Sequence, residues 1–480
     1  MASRRIRHLQ IEPAQRLSDV YRTMSPQPLR TAAELEHLYE PSINQARGAD
    51  LAESIALELN RQHGSDWYKL FFYGSRGSGK STEMSRLLQK VEDNFRGVRI
   101  DVRQELNPVE FQPHEILITI ALAFVKATAD LIQETNGQVD LDPMAFYKIE
   151  SWFEQTEYIA TTSRERSSGA EVSGAAVLPF LRLFEKLGLS VSGSMKANYA
   201  TREEVKAKRR THYSDLIGAV NSLIATCNEM LVNCTDKELE WVVLLEDLDK
   251  ATPLPVLSTL IYDNSHIFSD IETHFICNLP LGLLSGRSVD GTDIPFRTMY
   301  DTPVYTENYS VHVVGRQSIE HALAHRINLD LFSAGQVNRL VVASGGSLRH
   351  LFEMTVRAAD HASLRLVETE NQDDTGQIVE TDITKAIQQE RQDFRLALGE
   401  DISGQSGVTR EQKRDRLEEI YNRKPGHSTP DAVMNELLKS KAVQSFNGSG
   451  RYAVHPIVVD LLYEDKVIGD GLEKVPGGLI

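Results

Sequence analysis

The strongest chemical signal in the chain is the run Gly74-Ser75-Arg76-Gly77-Ser78-Gly79-Lys80-Ser81. Glycines at this spacing let successive backbone N–H groups curl around a dense anion with no Cβ in the way. The apolar run 69–73 enters the loop as a strand, and Met84, Leu87, Leu88, Val91 and Phe95 leave it at helical spacing. The N-terminus of that helix adds partial positive charge. In such a setting Lys80 reaches the β- and γ-phosphates of a nucleoside triphosphate and the Ser81 hydroxyl ligates Mg2+, while Thr82 adds a contact near the α-phosphate. The pattern Gly-x4-Gly-Lys-Ser is the Walker A signature.

A phosphate loop needs an acidic partner at the tip of a neighbouring strand. Trp241-Val242-Val243-Leu244-Leu245-Glu246-Asp247 supplies it: one carboxylate to hold the metal, assigned to Glu246, and the next, Asp247, to polarise an attacking water. The competing reading is that Asp247 and Asp249 only cap a following helix. Asn278, at the end of a strand over 274–277, is either a group that orients the water or an ordinary strand-end turn before Pro280. Gly345-Gly346-Ser347-Leu348-Arg349 opens another helix with Leu348, Leu351 and Phe352 inward. Arg349 then points away from that core, either toward the nucleotide or into solvent.

Several elements must position these residues. Residues 1–45 form a mixed, mostly helical segment, and 46–315 the α/β core with a parallel sheet. A second strand carries Val98, Ile100 and Val102, and 116–132 is an apolar helix. An insertion occupies about 140–235, including a helix that starts at the Thr201/Glu204 capping box and lines Leu216, Ile217, Val220, Leu223, Ile224, Cys227 and Leu231 on one face. Residues 316–402 read as a helical lid, with a polar loop over 367–377 and a helix over 382–398. Residues 404–407 form a linker into a last unit, 403–480. Its order is helix, helix, hairpin, helix, the hairpin turning at Asn447-Gly448-Ser449-Gly450, as in a winged helix.

Composition sets further bounds. The 480 residues exceed one compact core, and 41% hydrophobic with 25% charged residues is ordinary for a globular protein. No stretch approaches the roughly 20 uncharged apolar residues of a membrane helix. The basic start Met-Ala-Ser-Arg-Arg has no apolar segment behind it, and the cysteines Cys227, Cys234 and Cys277 are too scattered for a disulfide framework or zinc site, so a reducing cytoplasm is the expected location. A net charge of −16 disfavours broad nucleic-acid binding. The run Lys206, Lys208, Arg209, Arg210 is read as a solvated helix face. His321 and His325 share the i,i+4 spacing of zinc ligands with no third ligand in view. The helix 430–441 sets Asp431 and Glu436 against Lys439 and Lys441, with Arg451 on the hairpin, a poor electrostatic match to a groove that favours protein contacts over DNA.

Together these motifs resemble the AAA+/STAND-type P-loop ATPases, in the branch with origin-recognition ATPases, transposition regulators and KAP-type proteins. The resemblance covers about 45–465. It implies a P-loop core, lid and winged helix, with ATP and Mg2+ bound at 74–82. It also implies a strand order that sets Asn278 between the other two motif strands as sensor 1, Arg349 as sensor 2, and an arginine finger at Arg297 or Arg287 that enters a neighbour's site. The chain departs from the family in having Glu246 where Asp is usual and Asp247 where Glu often stands, and in a Walker A to Walker B distance about twice the usual, hence the insertion. The implied activity is an ATP-driven switch that controls self-assembly or a separate effector protein, with antiphage defence as the setting. A DNA-associated loader or transposition regulator, and a nucleotide-binding scaffold without turnover, are the alternatives.

Overall fold

The computed structural model describes residues 10–472 except 63–65, 107–111, 136–212, 236, 249–252, 285–292, 307, 370–375, 400–406, 430 and 448–450. The expected Thr201/Glu204 capping box, the Lys206–Arg210 run, Asp249, Arg287, Gly404 and the tip of the last hairpin lie outside the described residues.

Five parallel strands form the central sheet: β1 (Lys69–Gly74), β2 (Phe95–Asp101), β3 (Glu240–Glu246), β4 (His274–Pro280) and β5 (Phe296–Met299), in the order β2-β3-β4-β1-β5. The strand side chains alternate between two cores, as the period of two requires. Phe71, Tyr73, Trp241, Val243, Leu245, Phe275 and Cys277 join one cluster. Leu70, Phe72, Val242, Leu244 and Ile276 join the other. Both faces are covered, which is why these strands read as continuous apolar runs rather than alternating ones.

One face packs on α3 (Leu51–Leu59) and α4 (Lys80–Lys90), preceded in the chain by α1 (Ala32–Leu38) and α2 (Ser42–Arg47). The other packs on α5 (Pro113–Thr135) and α6 (Tyr213–Thr235). The last helix corrects the expected insertion. Leu216, Val220, Leu223, Ile224, Cys227 and Leu231 are buried in the main core, and the Trp241 indole donates to the Cys227 carbonyl at 3.1 Å. Residues 213–235 are thus a layer of the core itself; an apolar face this complete needs a large surface to bury it.

Helices α7 (Val313–Ala324), α8 (Gln336–Ala343), α9 (Leu348–Thr369) and α10 (Glu380–Ala397) follow. Helix α9 runs into the span expected as a loop from residue 367. The chain ends in α11 (Arg410–Tyr421), α12 (Ala432–Lys439), the antiparallel pair β6 (Val443–Ser445) and β7 (Tyr452–Val454), and α13 (Pro456–Glu464). Two smaller expectations shift, and one strand had none. Val102 opens a short helix capped by Asp101 instead of ending β2. Asn278 lies two residues inside β4, level with Phe72 of β1. Strand β5 carries no pattern that periodicity could detect.

Candidate nucleotide-binding site

Because all five strands run parallel, their C-terminal ends share one edge, and ligands of open α/β sheets bind outside that edge. The loop after β1 begins there. Gly77 and Gly79 take φ of +76° and +101°, a region costly for residues with a Cβ. They turn the chain so that α4 starts at Lys80.

The Lys80 ammonium is buried and donates to the carbonyls of Gly74 at 2.8 Å and Ser75 at 3.0 Å. The loop is fastened to the rest of the chain: Ser75 Oγ donates to the Asp301 carboxylate at 3.1 Å, and the Ser78 carbonyl accepts from Arg47 at 2.9 Å.

An open cleft lies over the loop. Gly77, Ser78, Gly79, Lys80, Ser81, Thr82, Asp247, Asn278 and Arg349 all line it. Six expected loop residues therefore share one cavity with the second carboxylate, the strand asparagine and the lid arginine. Gly74 and Ser75 sit behind the loop, and Arg76 is exposed.

Arg349 reaches the cavity because the turn before α9 is held close. A Cβ on Gly346 would stand 1.8 Å from the Thr302 carbonyl oxygen. The Arg349 Nε lies 3.0 Å from where a Gly77 Cβ would be. The outward direction expected for Arg349 is thus the direction of the phosphate loop.

The two carboxylates separate. Asp247 is buried with φ +67°, a left-handed conformation that Asp and Asn tolerate better than most residues, and it faces the cavity. Glu246, expected at the metal, does not line the cavity. Its Oε2 meets Arg30 at 2.8 Å and its Oε1 meets Arg99 at 3.0 Å. Burial pushes the Arg99 guanidinium down to about 10 against the opposing pull of Glu246. The split falls at the strand end: Glu246 is the last residue of β3, and Asp247 turns out of the extended chain with its positive φ.

Arg297 is also elsewhere. On β5 it pairs with Glu58 at 2.6 Å, about two-fifths exposed and away from this chain's own cavity. His325 meets Glu40 at 3.1 Å, and among the described residues no three His, Cys, Asp or Glu side chains could hold a metal ion.

Sequence reading missed the N-terminal wall. Pro26, Pro28, Leu29, Tyr39, Ile43 and Arg47 line the cavity. The Leu29 N–H donates to Thr82 Oγ1 at 3.2 Å, and Tyr39 Oη donates to Glu83 at 2.8 Å. The Thr31/Glu34 capping box that starts α1 was the one local signal in this stretch. Arg326, after α7, lines the same cavity.

Buried side-chain atoms without a hydrogen-bond partner gather here: Ser78 Oγ, Asn278 Oδ1, Arg349 Nε, and Arg326 Nε and Nη1. Such atoms are rare in folded proteins and call for a partner from outside the chain. A polar, anionic ligand fits the set: donors from Ser78, Lys80 and two arginines, a hydroxyl at Ser81, and a carboxylate at Asp247.

No family model matches the chain, and no curated protein matches its sequence. Among solved structures it is similar to the Walker-type ATPase PABY2304 of Pyrococcus abyssi, with 11% identity over 92% of this chain and 99% of that one and a TM-score of 0.39. It is also similar to the ORC1 protein of Aeropyrum pernix, solved in complex with DNA, with 12% identity over 89% and 94% of the two chains and a TM-score of 0.37. Likenesses this distant add nothing to what strand order and loop already show, an α/β P-loop core with a parallel sheet.

Proposed function

We propose that this chain binds ATP with Mg2+ and hydrolyses it as a molecular switch of the AAA+ type. The observation that supports the reading is the convergence of Lys80, Asp247, Asn278 and Arg349 on one cavity where Ser78 Oγ, Asn278 Oδ1 and Arg349 Nε lack hydrogen-bond partners. Loop amides and Lys80 hold the β- and γ-phosphates. Bound with the triphosphate, Mg2+ supplies charge neutralisation, held by Ser81 and a cavity carboxylate; few protein ligands suffice, because Mg2+ keeps waters and phosphate oxygens. Asp247 stands where a general base orients and deprotonates a water, Asn278 fixes that water, and Arg349 reports phosphate occupancy to the lid. Glu246 acts at one remove, holding Arg30 and Arg99 in place. The C-terminal unit, read as a winged helix, serves protein contacts rather than DNA.

The DNA-associated reading loses ground on a specific residue. Helix α12 ends at Lys439, and Lys441, expected at the end of that helix, is buried with φ +63° and paired with Asp301 at 2.7 Å. Asp431 caps the helix and pairs with Arg416 at 2.8 Å.

Calorimetric titration with ADP and a nonhydrolysable ATP analogue tests binding, steady-state phosphate release tests turnover, and solution mass with each nucleotide tests assembly. Binding in the wild type and its loss in Lys80→Ala are expected, with a mass increase on the ATP analogue alone. Binding without turnover leaves a scaffold, no binding overturns the reading, and an unchanged mass removes self-assembly as the output and leaves a separate effector protein.

A further inference from the structure

Arg326 is 4% exposed, yet its Nε and Nη1 have no hydrogen-bond partner. Its guanidinium lies 4.6 Å from the centroid of the Phe352 ring and lines the cavity over the phosphate loop. Its position is fixed by backbone. The Ala14 N–H donates to the Arg326 carbonyl at 2.9 Å, and the Asn328 N–H to the Ala14 carbonyl at 2.9 Å. Glu34 is the carboxylate whose charge acts on it, but the Glu34 Oε2 accepts from the Arg30 and Thr31 amides at 2.7 and 3.0 Å.

A guanidinium placed this way has lost its water without gaining acceptors. Burial accordingly pushes it down to about 10. A neutral acceptor entering the cavity would satisfy the N–H groups and leave the charge uncompensated; an anion does both. The ring of Phe352 orients the plane and offers no acceptor in it.

We infer that Arg326 is a phosphate-binding residue of this cavity, the third cation, with Lys80 and Arg349, to meet the phosphates of a bound nucleoside triphosphate. The inference rests on the ATP reading above and adds to it a residue on the helical side of the cleft. Contact at Arg326 joins the ligand to the segment around Ala14, which is bridged to Ile327.

The test uses the full chain with Arg326→Met and Arg326→Lys. Affinity for a nonhydrolysable ATP analogue is measured by calorimetry, and melting temperature without nucleotide by scanning calorimetry. In Arg326→Met the affinity falls at least tenfold while the ligand-free melting temperature stays equal to or above wild type, because an uncompensated buried cation has gone. Arg326→Lys, which keeps the charge, retains more affinity than the methionine variant. Unchanged affinity in Arg326→Met overturns the inference, as does lysine doing no better than methionine. A ligand-free melting temperature several degrees lower, with affinity lost in proportion to folded protein, shows a structural arginine and also overturns it. Failure of the wild type to bind would instead remove the ATP reading, and this inference with it.

Discussion

Two buried polar clusters meet one loop, one fastening it and one lining its cavity, and they differ in how far the chain completes them. At the fastening, Asp301 accepts from Lys441 Nζ at 2.7 Å, Ser75 Oγ at 3.1 Å and the Ser445 N–H at 3.2 Å, while its own N–H donates to the Ser445 carbonyl at 2.8 Å. Burial disfavours the charge of both partners, but the outcome differs. Lys441 and these donors hold the Asp301 carboxyl below its ordinary range despite burial. Lys441 is also lowered, by burial first and by the nearby cations Lys80 and Arg47 after it. Around the cavity Ser78, Asn278, Arg326 and Arg349 keep atoms without partners. The chain satisfies its structural joint during folding and leaves its ligand cavity to be satisfied by something else. The joint also links the phosphate loop to β6 of the C-terminal unit, so that a loop displaced by ligand would load the hairpin directly.

The largest effects should sort the clusters by the property they control. Asp247→Asn removes the charge from the cavity while keeping a residue that tolerates φ +67°. Turnover should fall by about 10²–10⁴-fold with melting temperature and nucleotide affinity nearly unchanged; unaltered phosphate release would move the base elsewhere. Asp301→Ala acts on the other cluster. It strands Lys441, and urea unfolding should show a loss of about 3–5 kcal/mol, largely recovered in Asp301→Ala/Lys441→Met. A double variant as unstable as the single one would show that the carboxylate's bonds to Ser75 and Ser445, rather than the stranded charge, set the cost.

Acid should probe a satisfied group near the joint. His455 accepts at Nδ1 from the Ile457 N–H at 3.3 Å and lies 3.2 Å through Nε2 from the Ser344 carbonyl, partners that assign the neutral Nε2–H form. Burial pushes it down to about 3. A base held below its unfolded value leaves the unfolded chain with more protons, so this contribution is intact above about pH 6.5 and is lost as pH falls below it. The slope is about 1.4 kcal/mol per pH unit. The stability gap between wild type and His455→Gln should narrow by about 1 kcal/mol from pH 6.5 to 5.5 in urea unfolding, where the unfolded imidazole is only partly protonated. A constant gap would mean that water or a neighbour such as His350 relaxes the constraint.

The smallest effect is expected at Arg297. Its pair with Glu58 is two-fifths exposed, and Arg297→Ala should change stability by no more than about 1 kcal/mol. If turnover nevertheless drops only at concentrations where the ATP-bound chain assembles, the arginine completes a neighbour's cavity.

The legible part of the site was local. The glycine loop, the apolar strand before Glu246 and the turn before Arg349 each announce themselves because the requirement is met within a few residues: positive φ, continuous burial, a helix start. Boundaries blurred where local pattern and packing diverge. Residues 213–235 read as part of an insertion because their apolar face matches any large partner surface, and β5 has only four residues.

By itself, then, the sequence determined the phosphate loop, the strand–loop–helix order around it, and the absence of a long apolar span, since these follow from residue type and spacing. Only the tertiary structure decided which of two adjacent carboxylates faces the cavity, that Arg47 and Arg326 gather at it from distant segments, and that Lys441 turns inward to Asp301. Those outcomes depend on strand register, on which face a side chain leaves, and on pairing between residues as far apart as Glu40 and His325, 285 positions, quantities that no local window of sequence encodes.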